Sequence, residues 1–160
     1  MRIFKILFLV LSMALSIDHA NAQSQADKIV GYYLTKDDAT KEVRSQVQIF
    51  RHTNGKYYGK IVWLKEPDIN GKPKLDKNNP DTKLQKRVLM DLEILKDFSY
   101  SIADSEWSKG SIYNPSSGKT YNCYIKFESP TSLKIRGYIG AAWMGLGKTA
   151  IWIKEATLRK

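Results

Sequence analysis

From residue 28 onward, short runs of alternating apolar and polar positions are separated by clusters of Gly, Asn, Asp, Pro and Ser. That rhythm predicts an all-β chain. "KIVGYYL" (28–34) reads as a first strand. "SQVQIFR" (45–51) alternates through Val47 and Ile49, and "HTNGK" (52–56) follows with an Asn-Gly pair. Asn and Gly both accept positive φ, so the pair predicts a type I′ hairpin into "YYGKIVWL" (57–64). Five later runs read the same way: "LMDLEIL" (89–95), "SEWSKGSIY" (105–113), "TYNCYIKF" (120–127), "SLKIRGYI" (132–139) and "TAIWIKEA" (149–156). They are rich in Tyr, Ile, Trp and Thr, whose side chains suit a pleated surface.

Most links between these eight candidate strands are too short for a parallel crossover, so neighbours pair antiparallel. The exception is 65–88, "KEPDINGKPKLDKNNPDTKLQKRV". Its first half is loop by composition. Its second half predicts a short helix across one end of the sheet, with Asn79 as cap, Pro80 in the first position and Asp81 at the positive end of the dipole. Leu84 and Val88, four apart, would share the face turned to the sheet.

Left open, eight strands would expose two unpaired edges. Closure into an up-and-down, lipocalin-like barrel removes them; a two-sheet sandwich is the other arrangement these strands permit. The interior of an eight-stranded barrel is either filled by side chains or holds one small ligand.

The segment before the first strand changes the picture of where this barrel works. "MRIFKILFLVLSMALSIDHANAQS" opens with Arg2 and Lys5, continues through an apolar run at 6–17 and reaches "ANA" at 20–22. It reads as a signal peptide, 1–22, cleaved near Ala22, with a single β-barrel domain over 23–160. The apolar run is shorter than the roughly 20 residues a membrane-spanning helix needs. The expectation is an exported protein, periplasmic or extracellular, that does not span the membrane. No Cys follows the cleavage point, so a lipid-modified N-terminus is not indicated.

Of 26 basic and 16 acidic residues, the leader holds two and one, leaving a formal +9. Such an excess favours polyanions, an anionic envelope component above all. Nucleic acid is not an expected partner of an exported protein. The basic residues are spread along the chain rather than clustered, however, so solubility with edge protection accounts for them better. Cys123 is the single cysteine and cannot close an internal disulfide. His52 is the one histidine beyond the leader, so neither a metal site nor a cofactor is expected.

"GKT" occurs at 118–120 and at 147–149. A phosphate-binding loop needs another glycine five positions earlier and a helix behind it. Tyr113 and Ala142 stand at those positions, and both strings run into predicted strands. Their glycines therefore serve turns. In "YNPSSGK" (113–119), Asn114 can bond local backbone and Gly118 suits the left-handed position.

The strings "GKIVWLKEP" (59–67), "DKNNPD" (76–81), "KGSIYNPSSGKTYNCYIKF" (109–127), "LKIRGYIG" (133–140) and "LGKTAIW" (146–152) resemble an exported bacterial family known as domain of unknown function twenty-one forty-seven. The resemblance is ordered along nearly the whole chain beyond the leader. It implies a lipocalin-like barrel and carries no catalytic residues. The family pattern has Trp where Tyr33 stands, which implies a smaller plug at the barrel's closed end.

Alternation groups the candidate site residues. Tyr121, Cys123, Ile125 and Phe127 share the more apolar face of their strand and should point inward. Cys123 then behaves as a small buried hydrophobe; a reactive thiol would need a nearby base or cation. Leu133, Ile135, Gly137 and Ile139 would also face in, leaving Arg136 and Tyr138 outside unless the register turns them into a polar pocket. Arg136 could anchor a carboxylate or phosphate there, or pair with a carboxylate at the rim. Trp63, Trp107, Trp143 and Trp152 supply flat surfaces that serve as core or as ligand wall.

These residues favour a non-enzymatic binding module for a small apolar or amphipathic ligand, an anionic lipid-like one included. The alternative is a filled barrel acting as a structural or interaction protein of the cell envelope through 65–88 or the "AAWMGLG" tip. An enzyme using Glu66 and Asp76 ranks last, because paired carboxylates work only at a fixed separation.

Overall fold

In the computed structural model, which describes residues 23–37 and 39–160, the predicted strands form a closed cylinder. The signal peptide expected at 1–22 lies outside the described residues. Among those described, ten strands occur: β1 (Gly31–Lys36), β2 (Val43–Arg51), β3 (Tyr57–Leu64), β4 (Asp68–Ile69), β5 (Lys72–Pro73), β6 (Glu93–Ser101), β7 (Glu106–Asn114), β8 (Lys119–Ser129), β9 (Ser132–Tyr138) and β10 (Gly147–Glu155). Eight of them close in the order β1-β10-β9-β8-β7-β6-β3-β2, each pair antiparallel. No edge of this sheet is left unpaired, and the sandwich does not occur. Both "GKT" strings lead into strands, β8 and β10.

β6 departs most from expectation. Residues 89–92 form a turn, with Asp91 at φ 61°, and the strand runs on to Ser101. The polar pair Lys96–Asp97 breaks the period-two pattern because Asp97 sits at a kink with φ 63°. Its carboxylate is held from outside by Tyr58 Oη at 2.7 Å and Lys56 Nζ at 3.3 Å. A kink of this kind re-aims a strand, which a strict alternation template cannot follow.

The two Asn-Gly pairs behave differently. In 52–56 only Gly55 takes positive φ (79°), and its N–H donates to the His52 carbonyl. The hairpin is thus a type I turn with a glycine bulge instead of the expected type I′. The second pair, Asn70-Gly71, has φ 53° and 72° and joins β4 to β5 as a two-residue type I′ turn. This small hairpin lies inside the stretch whose composition reads as loop.

The expected helix in 65–88 is one 3₁₀ turn, Thr82–Leu84, capped by Asp81 and not by Asn79. Leu84 and Val88 are exposed, so the shared apolar face assigned to them does not form. A single tight turn lacks the four-residue repeat that would align them. Polar groups dock this segment instead. Asp76 is fully buried; it accepts from Tyr113 Oη at 2.6 Å, Asn79 Nδ2 at 2.8 Å and Arg87 Nε at 2.9 Å.

At the opposite end the barrel is packed shut. Trp107 packs at a tilt against Tyr100 (4.8 Å) and meets Phe127 (5.6 Å) and Tyr57 (6.4 Å) edge-on. Residues 23–27 form a helical turn beneath them, and Trp107 Nε1 donates to the Ala26 carbonyl at 3.1 Å. Tyr33 is fully buried, with its hydroxyl on the Ile29 carbonyl at 2.9 Å. Trp107 supplies the indole of this plug, and Tyr33 is buried on its own strand.

Candidate functional site

The large rings crowd one end because inward positions at the other end carry smaller side chains. Ile61 of β3, Ile94 of β6, Ile112 of β7, Ile135 and Gly137 of β9 and Ala150 of β10 leave a cavity of ≈ 650 Å³. Its lining runs from mid-strand positions such as Ile61, Ile135 and Trp152 out to strand ends and loops at Asp37, Pro115 and Ile139. Buried among them, the Thr35 and Ser45 hydroxyls bond each other at 2.6 Å across β1 and β2. Tyr113 forms part of the wall and is held by Asp76 from behind. Among the described residues no buried side-chain nitrogen or oxygen lacks a hydrogen-bond partner, as stable interiors require.

The residues singled out from the sequence separate into three groups. Tyr121 and Trp152 line the cavity. Trp107 and Cys123 are buried in the barrel interior beyond it, and burial pushes the Cys123 thiol up to about 12. Trp63, Arg136 and Tyr138 lie on the outer surface. Trp63 is covered by the C-terminal segment: its Nε1 donates to the Lys160 carbonyl at 3.2 Å and the Arg159 guanidinium sits over its ring. Trp143 belongs to the 3₁₀ turn Ala142–Met144 of the β9–β10 loop, and its side chain lies outside what the structure describes.

Arg136 has a local task. It donates to the carbonyls of Gly145 (2.9 Å) and Gly147 (3.1 Å) and to Thr149 Oγ1 (3.3 Å), which holds the β9–β10 loop over β10. Among the described residues it meets neither the polar pocket nor the rim carboxylate considered for it. Glu66 pairs with Lys74 at the surface, at 3.2 Å, while both Asp76 oxygens are engaged inside the latch. The two carboxylates are thus separately committed.

Alternation did not single out Lys36, Arg44 and Lys148. They stand at the cavity mouth, at the ends of β1, β2 and β10, together with Asp37. Ile139 also lines the mouth, and the loop beyond it exposes Met144 and Leu146. Only strand order could gather these groups, because they are separated by up to 112 positions in the chain. Among the described residues no helix is long and apolar enough to cross a membrane.

The barrel has relatives. A family model described as "Uncharacterized protein conserved in bacteria (DUF2147)" matches residues 31–154, from β1 into β10. No curated protein matches the chain. Among solved structures it is similar to protein HP1028 from the human pathogen Helicobacter pylori, which belongs to the lipocalin family. The two share 28% sequence identity with a TM-score of 0.67, over 80% of this chain and 83% of that one. A family model spanning the barrel and a lipocalin-like neighbour of the same architecture place this chain in the DUF2147 family, with a lipocalin-like fold.

Proposed function

We propose that the protein is an exported, non-enzymatic binding protein that holds one small apolar or amphipathic molecule in the open half of its barrel. The observation that carries this reading is the ≈ 650 Å³ cavity, walled by isoleucines, Tyr121 and Trp152. That volume falls in the range of small-molecule sites, roughly 300–1,000 Å³. A barrel used only as a scaffold would be more stable filled, at roughly 0.8 kcal/mol for each buried methylene. The signal-peptide pattern read in the sequence of 1–22 supports export.

Native mass spectrometry of protein purified from its own host's envelope tests the reading. The expected result is a bound small molecule that is released on denaturation. Ala150→Trp, which places an indole in the cavity, should abolish the adduct while leaving the fold intact. An adduct that persists unchanged in Ala150→Trp would count against the cavity as its site.

A second reading has its own support in the exposure of Ile139 (61%), Met144 (49%) and Leu146 (59%) beside the mouth. There the tip of the β9–β10 loop would meet a partner in the cell envelope. Deleting residues 140–147 should then abolish partner capture without loss of the cavity ligand.

A further inference from the structure

The cavity is polar along its axis. Among the described residues its ionic side chains are confined to the mouth, where Lys36, Arg44, Lys148 and Asp37 come together. Deeper in, the polar groups of the wall are few and uncharged. The Thr35 and Ser45 hydroxyls bond each other, and the Tyr113 hydroxyl donates to Asp76. A charged group pushed into that depth would find no opposite charge among the described lining residues and would carry much of the cost of lost hydration. An apolar chain would meet isoleucine, alanine and Trp152 there.

Arg44 is set across the mouth. Its Nη2 donates to Ser116 Oγ in the β7–β8 loop, and its Nη1 stands 3.8 Å from Asp37 Oδ2. Asp37 is chiefly engaged by its own turn, since Oδ1 accepts the backbone N–H groups of Ala39 (2.9 Å) and Thr40 (3.0 Å). The pairing with Arg44 is correspondingly loose. A guanidinium carries five N–H donors in a planar fork. These two contacts orient the fork and leave donors for an anion, which it can take bidentately.

We propose that Arg44 is the head-group anchor of the cavity, and that the ligand is a single-chain amphiphile bound tail-first with its carboxylate or phosphate at the mouth. The anchor rests on the cavity reading above. Lys36 adds positive field at the same opening.

Isothermal titration of delipidated protein with dodecanoate, dodecyl phosphate and dodecan-1-ol tests the proposal. These probes share one tail and differ in the head. Both anions are expected to bind at least about tenfold more tightly than the alcohol, as charge-assisted hydrogen bonds require. Arg44→Gln should lower them to the level of the alcohol and leave the alcohol unchanged. The tighter of the two anions identifies the head. Arg44→Lys keeps the charge without the fork and should fall between, so the test stands even if Arg44→Gln does not fold. Equal binding of all three probes, or an anion preference that survives Arg44→Gln, overturns the anchor while the cavity reading stands. Binding of none of the three defeats the cavity reading itself.

Discussion

Gly118 and Asn78 meet backbone to backbone beside the barrel mouth: a Cβ on Gly118 would lie 1.8 Å from the Asn78 carbonyl oxygen. Gly118 sits at φ 68° at the end of the β7–β8 turn, and Asn78 Nδ2 donates to the Ser116 carbonyl at 2.9 Å. "DKNNPD" is thereby docked onto "NPSSGK". The glycine of the first "GKT" string makes room for another part of the chain and not for a phosphate.

Gly118→Ala should therefore cost more than the conformational term alone. A non-glycine residue in the left-handed region costs roughly 1–2 kcal/mol. Displacing the connection should raise the loss to about 3 kcal/mol or more. Gly71 has φ 72° with nothing within 4 Å of a built Cβ, so Gly71→Ala should lose only the conformational part. Urea unfolding of both variants measures the difference, and equal losses would refute the contact.

Tyr113→Phe removes the hydroxyl that satisfies Asp76 Oδ1. Because Asp76 is fully buried, the loss should be about 1.5–3 kcal/mol, the range for a hydrogen bond to a charged group. Arg87→Met leaves the buried carboxylate without its cation and should cost more, toward the roughly 3–5 kcal/mol of a broken buried pair. Arg87 keeps a third of its side chain exposed, which places the effect at the lower end. Denaturant midpoints of the two variants give the order directly.

Cys123 should behave as a core atom and not as a nucleophile. With its thiol pushed up to about 12 by burial, almost no thiolate exists at neutral pH. A disulfide reagent at pH 8 should leave the native protein unmodified and label it once in denaturant. Stoichiometric labelling of the folded protein would contradict the packing around β8.

Stability should fall at high pH through Tyr57. Its hydroxyl donates to Asp27 Oδ1 at 2.7 Å and accepts from Gln23 Nε2 at 3.1 Å, tying the helical turn at 23–27 to the barrel. Burial first, and then the Asp27 carboxylate, push the phenol up to about 12 from 10.0. Folding therefore favours the protonated form. Its contribution is complete below pH 10 and is lost as pH climbs toward 12. Asp27 has the opposite sign: burial raises its carboxyl, but Tyr57, Gln23 and Arg51 outweigh that and hold it below 3.8. Its share is present above that value and lost as pH falls beneath it. Tyr57→Phe should flatten the alkaline limb of a stability-against-pH curve, and an unchanged limb would show that the shift has another origin.

Much of the fold was legible in one dimension. A strand exposes its pattern locally, since successive side chains point to opposite faces. Tyr121, Cys123, Ile125 and Phe127, and Leu133, Ile135 and Gly137, therefore fall on the inner face as alternation predicts. β3 begins and ends where its apolar run does. The pattern failed at β6, where Asp97 kinks the chain and a polar pair interrupts the period. Turn identity was legible only in part. The same Asn-Gly dipeptide makes a type I′ turn at 70–71 and none at 54–55, because strand register and loop length decide between turn types.

The sequence by itself determined an all-β chain, its meander order and most of its inward faces, because these follow from nearest-neighbour geometry. Only the tertiary structure decided that the barrel is half filled, that Trp107 plugs one end, and that Trp63 lies beneath the C-terminal segment. It alone brought Lys36, Arg44 and Lys148 to one opening and closed Asp76 inside the latch. The physical reason is that a cavity is a difference of volumes around a closed ring of strands. No single strand carries that difference, so it exists only once β1 has met β10.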